Sequence, residues 1–204
     1  MTRVACGTVV MIDFESITPG DQNSTFLQGY GISSVTTGGG GLPTRVYADQ
    51  PEAVLPSGTH FFTPSGGGYP NPAFSSAPDY FYTDLTFVTP VEYFSFYRAT
   101  QNVPSYGTAG WQAVAYDAFN NVVDTEGVGL AGGLDYPPPA NPVPYLLQGA
   151  ADITKVRFRV NYNYQSTSGT VWIDDMQFNT TPEPSRCLLL GLGLTGVMLR
   201  RRRR

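Results

Sequence analysis

Four carboxylates stand near the two ends of a strand-rich body. Asp13 and Glu15 lie in Met11-Ile12-Asp13-Phe14-Glu15-Ser16, and Asp174 and Asp175 lie in Val171-Trp172-Ile173-Asp174-Asp175-Met176. An acid among apolar strand neighbours is costly unless it is paired or metal-bound. Carboxylate oxygens, joined by backbone carbonyls, are what Ca2+ prefers. Asp13, Glu15, Asp174 and Asp175 are therefore candidate ligands of a structural calcium. The other assignment is that these acids close strand ends by accepting hydrogen bonds from turn amides.

Catalytic constellations are thin. The single histidine, His60, lies in Ser57-Gly58-Thr59-His60-Phe61-Phe62 at a strand entrance and is expected to be structural. The sequence has no Gly-x-Ser-x-Gly elbow, His-Glu-x-x-His or Cys-x-x-Cys. The glycine run at 38–41 lacks the Lys-Ser/Thr that a phosphate-cradling loop needs. Glycoside hydrolysis needs two carboxylates about 5–10 Å apart, and no spacing nominates a pair. The chain is read as non-enzymatic, with a hydrolase ranked third among the functions weighed.

A sugar site would set aromatic faces against the rings and polar groups against the hydroxyls. Trp172 shares a strand face with Met176 and Phe178 and is assigned to the core. Trp111 follows a loop at 104–110 and is a candidate for either the core or a binding surface. Three segments read as loops: 36–43, 64–77 and 134–144, the last holding Pro137-Pro138-Pro139 and two further prolines. Proline lacks the ladder donor and glycine packs no side chain. Such loops are flexible surface connections, or they build a binding surface at one end of the fold. On the second reading Tyr69, Phe74 and Tyr136 join Trp111 as candidate ligand-binding aromatics.

The elements that must position these groups are strands. Strand signals recur at 8–15, 26–35, 44–48, 59–63, 80–88, 91–98, 111–116, 121–126, 153–162 and 170–178. Val156, Phe158 and Val160 alternate with Arg157, Arg159 and Asn161, the period-two pattern of a half-buried strand. Asp117-Ala118-Phe119-Asn120-Asn121 reads as a hairpin loop. No stretch of the body has helical periodicity. With 23 Gly, 17 Pro, 13 Tyr and 12 Phe among 204 residues, and only 14% charged, the composition fits short strands joined by turns. The expected fold is all-β, an antiparallel β-sandwich of jelly-roll type over 8–180. Residues 1–7 are a leader remnant or a lead-in to the first strand.

Charge narrows the partners. The formal net charge is −4, yet five of the twelve basic residues are the terminal Arg200, Arg201, Arg202, Arg203 and Arg204. Between Ile12 and Thr180 five basic residues face fifteen acidic ones. A body this acidic is a poor partner for nucleic acid. Cys6 and Cys187 lie in the flanks, so the body relies on packing, with or without a metal.

The tail reads differently from the body. Pro182-Glu183-Pro184 precedes residues 187–199, thirteen residues without a charge, and the arginine run ends the chain. Leu188, Leu189, Leu190, Leu192 and Leu194 supply the apolar stretch and the arginines a stop-transfer end. Thirteen helical residues reach only about 20 Å, short of a core roughly 30 Å thick. A short apolar helix that holds the chain transiently in the membrane is expected at 181–204. This order of parts resembles the PEP-CTERM sorting signal of exosortase substrates. The resemblance implies export, transient anchoring in the inner membrane, processing near the Pro-Glu-Pro motif by exosortase, and placement at the cell surface or in an extracellular matrix, often beside exopolysaccharide.

The body resembles the jelly rolls of PEP-CTERM proteins and, more loosely, galactose-binding-like carbohydrate-binding modules. The resembling pieces are Ile12-Asp13-Phe14-Glu15, Gly29-Tyr30-Gly31-Ile32, Val114-Ala115-Tyr116-Asp117 and Ile173-Asp174-Asp175. That resemblance implies a structural calcium joining acids of the first and last strands, here Glu15 with Asp174 or Asp175. Two functions follow. One is a surface-sorted, non-enzymatic module that interacts with carbohydrate or exopolysaccharide. The other is a structural or adhesive biofilm-matrix protein with no specific glycan ligand.

Overall fold

The computed structural model describes residues 8–38, 43–51, 53–64, 80–101, 108–128, 134–135, 141–161 and 171–180. The alternation read from the sequence is present in it. Val156 and Phe158 are buried, while Lys155, Arg157 and Arg159 on the opposite face are partly exposed. The strands assemble so that their apolar faces meet.

The early strands are β1 (Val9–Ile12), β2 (Gly20–Asp21), β3 (Ile32–Gly38), β4 (Arg45–Ala48), β5 (Ala53–Val54) and β6 (His60–Thr63). Then come the long β7 (Tyr80–Arg98) and the short β8 (Thr100–Gln101) and β9 (Thr108–Ala109). The hairpin strands β10 (Trp111–Tyr116) and β11 (Val122–Gly127), the short β12 (Leu134–Asp135), the long β13 (Val143–Asn161) and β14 (Ile173–Thr180) complete the order. All described pairings are antiparallel.

Two long strands make the architecture. The first half of β7 lies between β3 and the second half of β13, which continues to β10 and β11. The second half of β7 lies between β14 and the first half of β13. β14 in turn pairs with β1 and, at Ile173, with β6, which leads on to β4 and β2. The β7–β13 register breaks between Gln148 and Lys155, and there the ladder folds over into two layers.

Aromatic rings fill the space between the layers. Phe87 in one layer meets Phe178 in the other at 5.0 Å between ring centres. Phe158 meets Phe96 edge-on at 5.2 Å and Phe94 at 6.2 Å. All five rings are buried. Edge-to-face pairs of this kind contribute about 0.5–1.5 kcal/mol each beyond the area they bury. The result is an antiparallel β-sandwich.

Several elements differ from the sequence reading. The two strands expected at 80–88 and 91–98 are one strand, β7, and the expected gap falls at the register break. The loop expected at 134–144 gives way to strand at Val143, and β13 runs through Pro144. Among the described residues, β7 is the only ladder partner of Val143–Gln148. Proline is tolerated on such an edge because no second neighbour needs its missing N–H. The strand expected at 26–35 begins only at Ile32, because Gln28–Tyr30 forms a 3-10 turn closed by Gly31 at φ 88°. The first three residues of the loop expected at 36–43 are strand, since β3 continues to Gly38 beside Tyr82 of β7. The leader residues 1–7 and the tail at 181–204, with its expected helix, lie outside the described residues.

Candidate functional site

The first candidate site forms where the first and last of the described strands meet. β1 pairs with β14 from Val9 opposite Asn179 to Ile12 opposite Met176. Beyond Ile12 the chain turns through Phe14, whose φ of 61° is left-handed. That turn carries the Glu15 side chain to the loop before β6. Glu15 Oε1 accepts hydrogen bonds from the backbone amides of Thr59 and His60, both at 2.7 Å. His60 Nδ1 lies 3.1 Å from the Phe14 carbonyl. Gly58, at φ 54°, leaves the space the carboxylate occupies, and a Cβ there would overlap it. Desolvation works against the charged form of Glu15. The His60 and Thr59 amides and the His60 charge outweigh it and hold the carboxyl below its ordinary range.

The last strand brings the other two acids. Asp175 has φ 46°, a bulge conformation, and its Oδ1 accepts from Ser57 Oγ at 2.7 Å. Asp174 is fully buried. Its Oδ1 accepts from the Asp175 amide at 2.8 Å, while Oδ2 has no hydrogen-bond partner. Burial pushes the Asp174 carboxyl up to about 8, helped by the charges of Asp175 and Glu15 and opposed by the Asp175 and Ser57 amides. A buried carboxylate oxygen without a partner calls for a proton or a cation.

The structure thus gathers Glu15, Asp174 and Asp175 around the 57–60 turn. It does not bring Asp13 with them. Asp13 is exposed and its Oδ1 accepts from the Glu15 amide at 3.2 Å, so it takes the strand-end role. Among the described residues no three His, Cys, Asp or Glu side chains group as a ready ligand set. Asp174, Asp175 and Glu15 line the turn without forming such a set, and a cation there would need backbone oxygens as well.

The second candidate lies on the outward face of the first layer and was not foreseen from the sequence. Register sets Arg157 between Asp84 and Val114, Lys155 between Thr86 and Tyr116, and Arg159 between Tyr82 and Gln112. Arg157 grips Asp84 through two bonds, Nε to Oδ1 at 2.6 Å and Nη2 to Oδ2 at 2.7 Å. Its guanidinium lies 4.0 Å above the Tyr82 ring, and Gly38 leaves room for that ring. The hydrogen bond to Asp84 raises the Arg157 pKa, against desolvation. Lys155 Nζ sits 4.5 Å above the Tyr116 ring, and Arg159 Nη2 donates to the Tyr116 hydroxyl. Tyr116 is only 7% exposed, so it is a floor on which cations rest.

The β10–β11 hairpin forms the rim of this face. Asp117 Oδ1 accepts from the amides of Phe119 and Asn121, both at 2.8 Å, and Oδ2 accepts from Asn121 Nδ2 at 2.9 Å. Those bonds hold the Asp117 carboxyl below its ordinary range, with the Asn121 side chain first among them. They fix a turn whose tip presents Phe119 at 85% exposure. Asn120 Oδ1 accepts from Lys155 Nζ at 3.0 Å and ties the tip to the cations.

Of the aromatics proposed as ligand contacts, Trp111 belongs to the core. It is fully buried between Phe96 and Tyr145, with Arg98 5.7 Å from its ring. β10 points Trp111, Ala113 and Ala115 into the core. Trp172, assigned to the core, lies at its margin, partly exposed against Phe61. Tyr69, Phe74 and Tyr136 lie outside the described residues. So do Pro182, Glu183, Pro184, the tail leucines and Arg200 to Arg204. The residues the sequence reading missed are Tyr82, Asp84, Tyr116, Phe119, Lys155, Arg157 and Arg159. The available signal was three cations at alternate positions of a single strand.

No protein-family model and no curated protein matches the chain. Solved structures do resemble it. The K2 cleaved adhesin domain of Lys-gingipain aligns with a TM-score of 0.52 at 19% identity, over 84% of this chain and 99% of that one. A family 29 carbohydrate-binding module with a bound cellulohexaose aligns at 0.32 and 12% identity, over 72% and 92%. A family 32 carbohydrate-binding module from a family 31 glycoside hydrolase of Clostridium perfringens aligns at 0.35 and 8% identity, over 84% and 91%. The likeness to the adhesin domain is one of fold.

Proposed function

We propose that this chain is a non-enzymatic, glycan-interacting β-sandwich module, exported and sorted to the cell surface by its C-terminal tail. The observation that carries the glycan reading is the outward face of β7, β13 and β10 with its rim. It combines fixed hydrogen-bond donors over tyrosine rings with an exposed, pre-positioned Phe119. Sugar recognition needs that combination, an aromatic surface for the ring and oriented polar groups for its hydroxyls. Support for a non-enzymatic role is chemical. His60 Nδ1 is turned to a backbone carbonyl, and the Ser57 hydroxyl donates to the Asp175 carboxylate and not to the imidazole.

Binding of the full-length chain to a broad panel of bacterial and plant polysaccharides tests the reading. Saturable binding without turnover is expected. A folded sample that retains none would leave the alternative, an adhesive matrix protein with no specific glycan, which the fold likeness to an adhesin domain also suits. Turnover of any panel member would overturn the non-enzymatic reading.

Calcium belongs to the same proposal. Asp174, Asp175 and Glu15 would contribute to its shell, and its charge would answer the unpartnered Asp174 oxygen while joining the 57–60 turn to β14 and to the turn after β1. The sorting role rests on Pro182-Glu183-Pro184, the apolar stretch and the terminal arginines. Replacing Glu183 or deleting Arg200 to Arg204 is expected to change surface display in an exosortase-bearing host and leave the body's melting temperature unaltered.

A further inference from the structure

Beyond the face of β7, β13 and β10 described above, we infer that the outward side of the second layer holds a separate site for a neutral sugar chain, with Asn179 and Glu92 accepting from its hydroxyls and Tyr93 and Tyr97 facing its rings. The site stands on how the strands align. Leu146, Ser95, Gln177 and Met11 form one row across β13, β7, β14 and β1. The residues beside them along each strand, Leu147, Phe94, Phe178 and Ile12, are buried in the core, so the row faces out. Met11 is 62% and Leu146 42% exposed. The row has no charged side chain, in a body where fifteen acidic and five basic residues lie between Ile12 and Thr180.

In the next row the sheet departs from regularity. β7 runs from Val91 to Phe94 where β14 runs only from Thr180 back to Phe178, so Glu92 and Tyr93 both stand opposite Asn179. A bulge of this kind re-aims side chains and is common beside functional sites. Asn179 Nδ2 donates to Glu92 Oε2 at 3.0 Å, and the other amide atom, Oδ1, is buried without a partner. Turning the amide over would set oxygen against oxygen, so the carboxylate fixes which atom is left. Only 9% of Asn179 is exposed. An acceptor in that condition is costly, and a donor relieves it. Asn179 alternates with the inward Phe178, so its donor comes from outside the layer. Val9, its partner on β1, is 54% exposed, and surface side chains there turn aside for a hydroxyl to enter.

These features select the ligand class. Two acceptors and no cation in the two rows disfavour an anion and suit a hydroxyl. Sugar hydroxyls donate, and sugar rings present apolar faces that suit tyrosine. Tyr93 and Tyr97 flank Ser95 on the outward side of β7, and Tyr97 is 36% exposed. Gln177 sets an amide beside Ser95. Sites on opposite layers let one module join two sugar chains.

The test titrates the full-length chain with hexasaccharides of β-1,4-linked glucose, mannose and xylose. Saturable binding of at least one is expected. Tyr97→Ala should weaken it about tenfold, the size of one lost aromatic contact. Asn179→Leu should weaken it at least as much. Phe119→Ala, on the other layer, should leave that binding in place.

Binding that Phe119→Ala removes and Tyr97→Ala leaves intact would overturn the second site and leave the first standing. Should Asn179→Leu fail to melt cooperatively, the Tyr97→Ala result decides: unchanged affinity overturns the site. A two-chain mass in sedimentation that Leu146→Glu reduces to one would give the face to a second copy and overturn the inference as well. Refusal of all three hexasaccharides by a chain that binds the polysaccharide panel overturns this inference alone. A wholly negative panel together with that refusal would remove the glycan proposal itself.

Discussion

Asp174 concentrates the residue-scale physics of this molecule. A carboxyl with no exposure and one oxygen without a partner is stable only when protonated or beside a cation. Its folded-state pKa, about 8, lies above the 3.8 of the exposed group. Between those values the folded protein binds a proton that the unfolded chain has lost. Without a metal, stability should therefore fall as pH rises from about 4 to about 8, because the native state must give up that proton. Melting curves in chelator are expected to show this slope, and Asp174→Asn is expected to flatten it and to raise the melting temperature at pH 8. Added calcium should raise the wild-type melt at pH 8 and leave the Asp174→Asn melt where it was. Each kcal/mol corresponds to roughly 2–4 °C for a domain of this size. Identical melts in calcium and chelator would remove the metal from the proposal.

At the scale of elements, the β10–β11 hairpin shows how a loop becomes a rigid part. Asp117 alone closes the turn, and Asn120 adopts φ 61°, a conformation asparagine tolerates better than most residues. Asp117→Ala is expected to lower the melting temperature modestly. The clearer readout is hydrogen exchange. The amides of Phe119 and Asn121 should lose protection in the variant, while those of β13 keep theirs. Unchanged exchange at Phe119 would show that the turn is held by other contacts. The same loop explains why the hairpin was legible in the sequence. An Asp followed two and four residues later by amides it can cap is a local pattern. β13 was half legible for a similar reason. Its alternating half announced itself, but its first half was masked by prolines, whose cost depends on whether a neighbouring strand needs their N–H.

For the whole molecule, the two layers are joined through few large rings. Phe158 touches Phe94 and Phe96 across the interface, and both neighbours continue into Phe178 or Trp111. Phe158→Ala is expected to cost about 3–5 kcal/mol, the usual range for emptying a buried phenylalanine site. Equilibrium denaturation should register this as a lower midpoint. A loss below about 1 kcal/mol would mean that the layers close over the gap. Because β7 and β13 belong to both layers, the loss should appear as one cooperative transition, with no separate melting of either layer.

The sequence by itself determined the class of fold, the inward and outward sets of the second half of β13, the 117–121 hairpin and the acids near the two ends of the strand-rich body. These are local properties, carried by a period of two or by turn chemistry within five residues. Only the tertiary structure decided which outward sets meet. Asp84 and Arg157 are 73 positions apart, and nothing in either segment specifies the other until register aligns them. Trp111 could have faced either way by its own neighbours, and the rings of Phe96 and Tyr145 in the opposite layer settled it. Likewise Glu15 and Asp174 came together because β1 pairs with β14. Asp13, two residues from Glu15, was turned away by a single left-handed residue, Phe14.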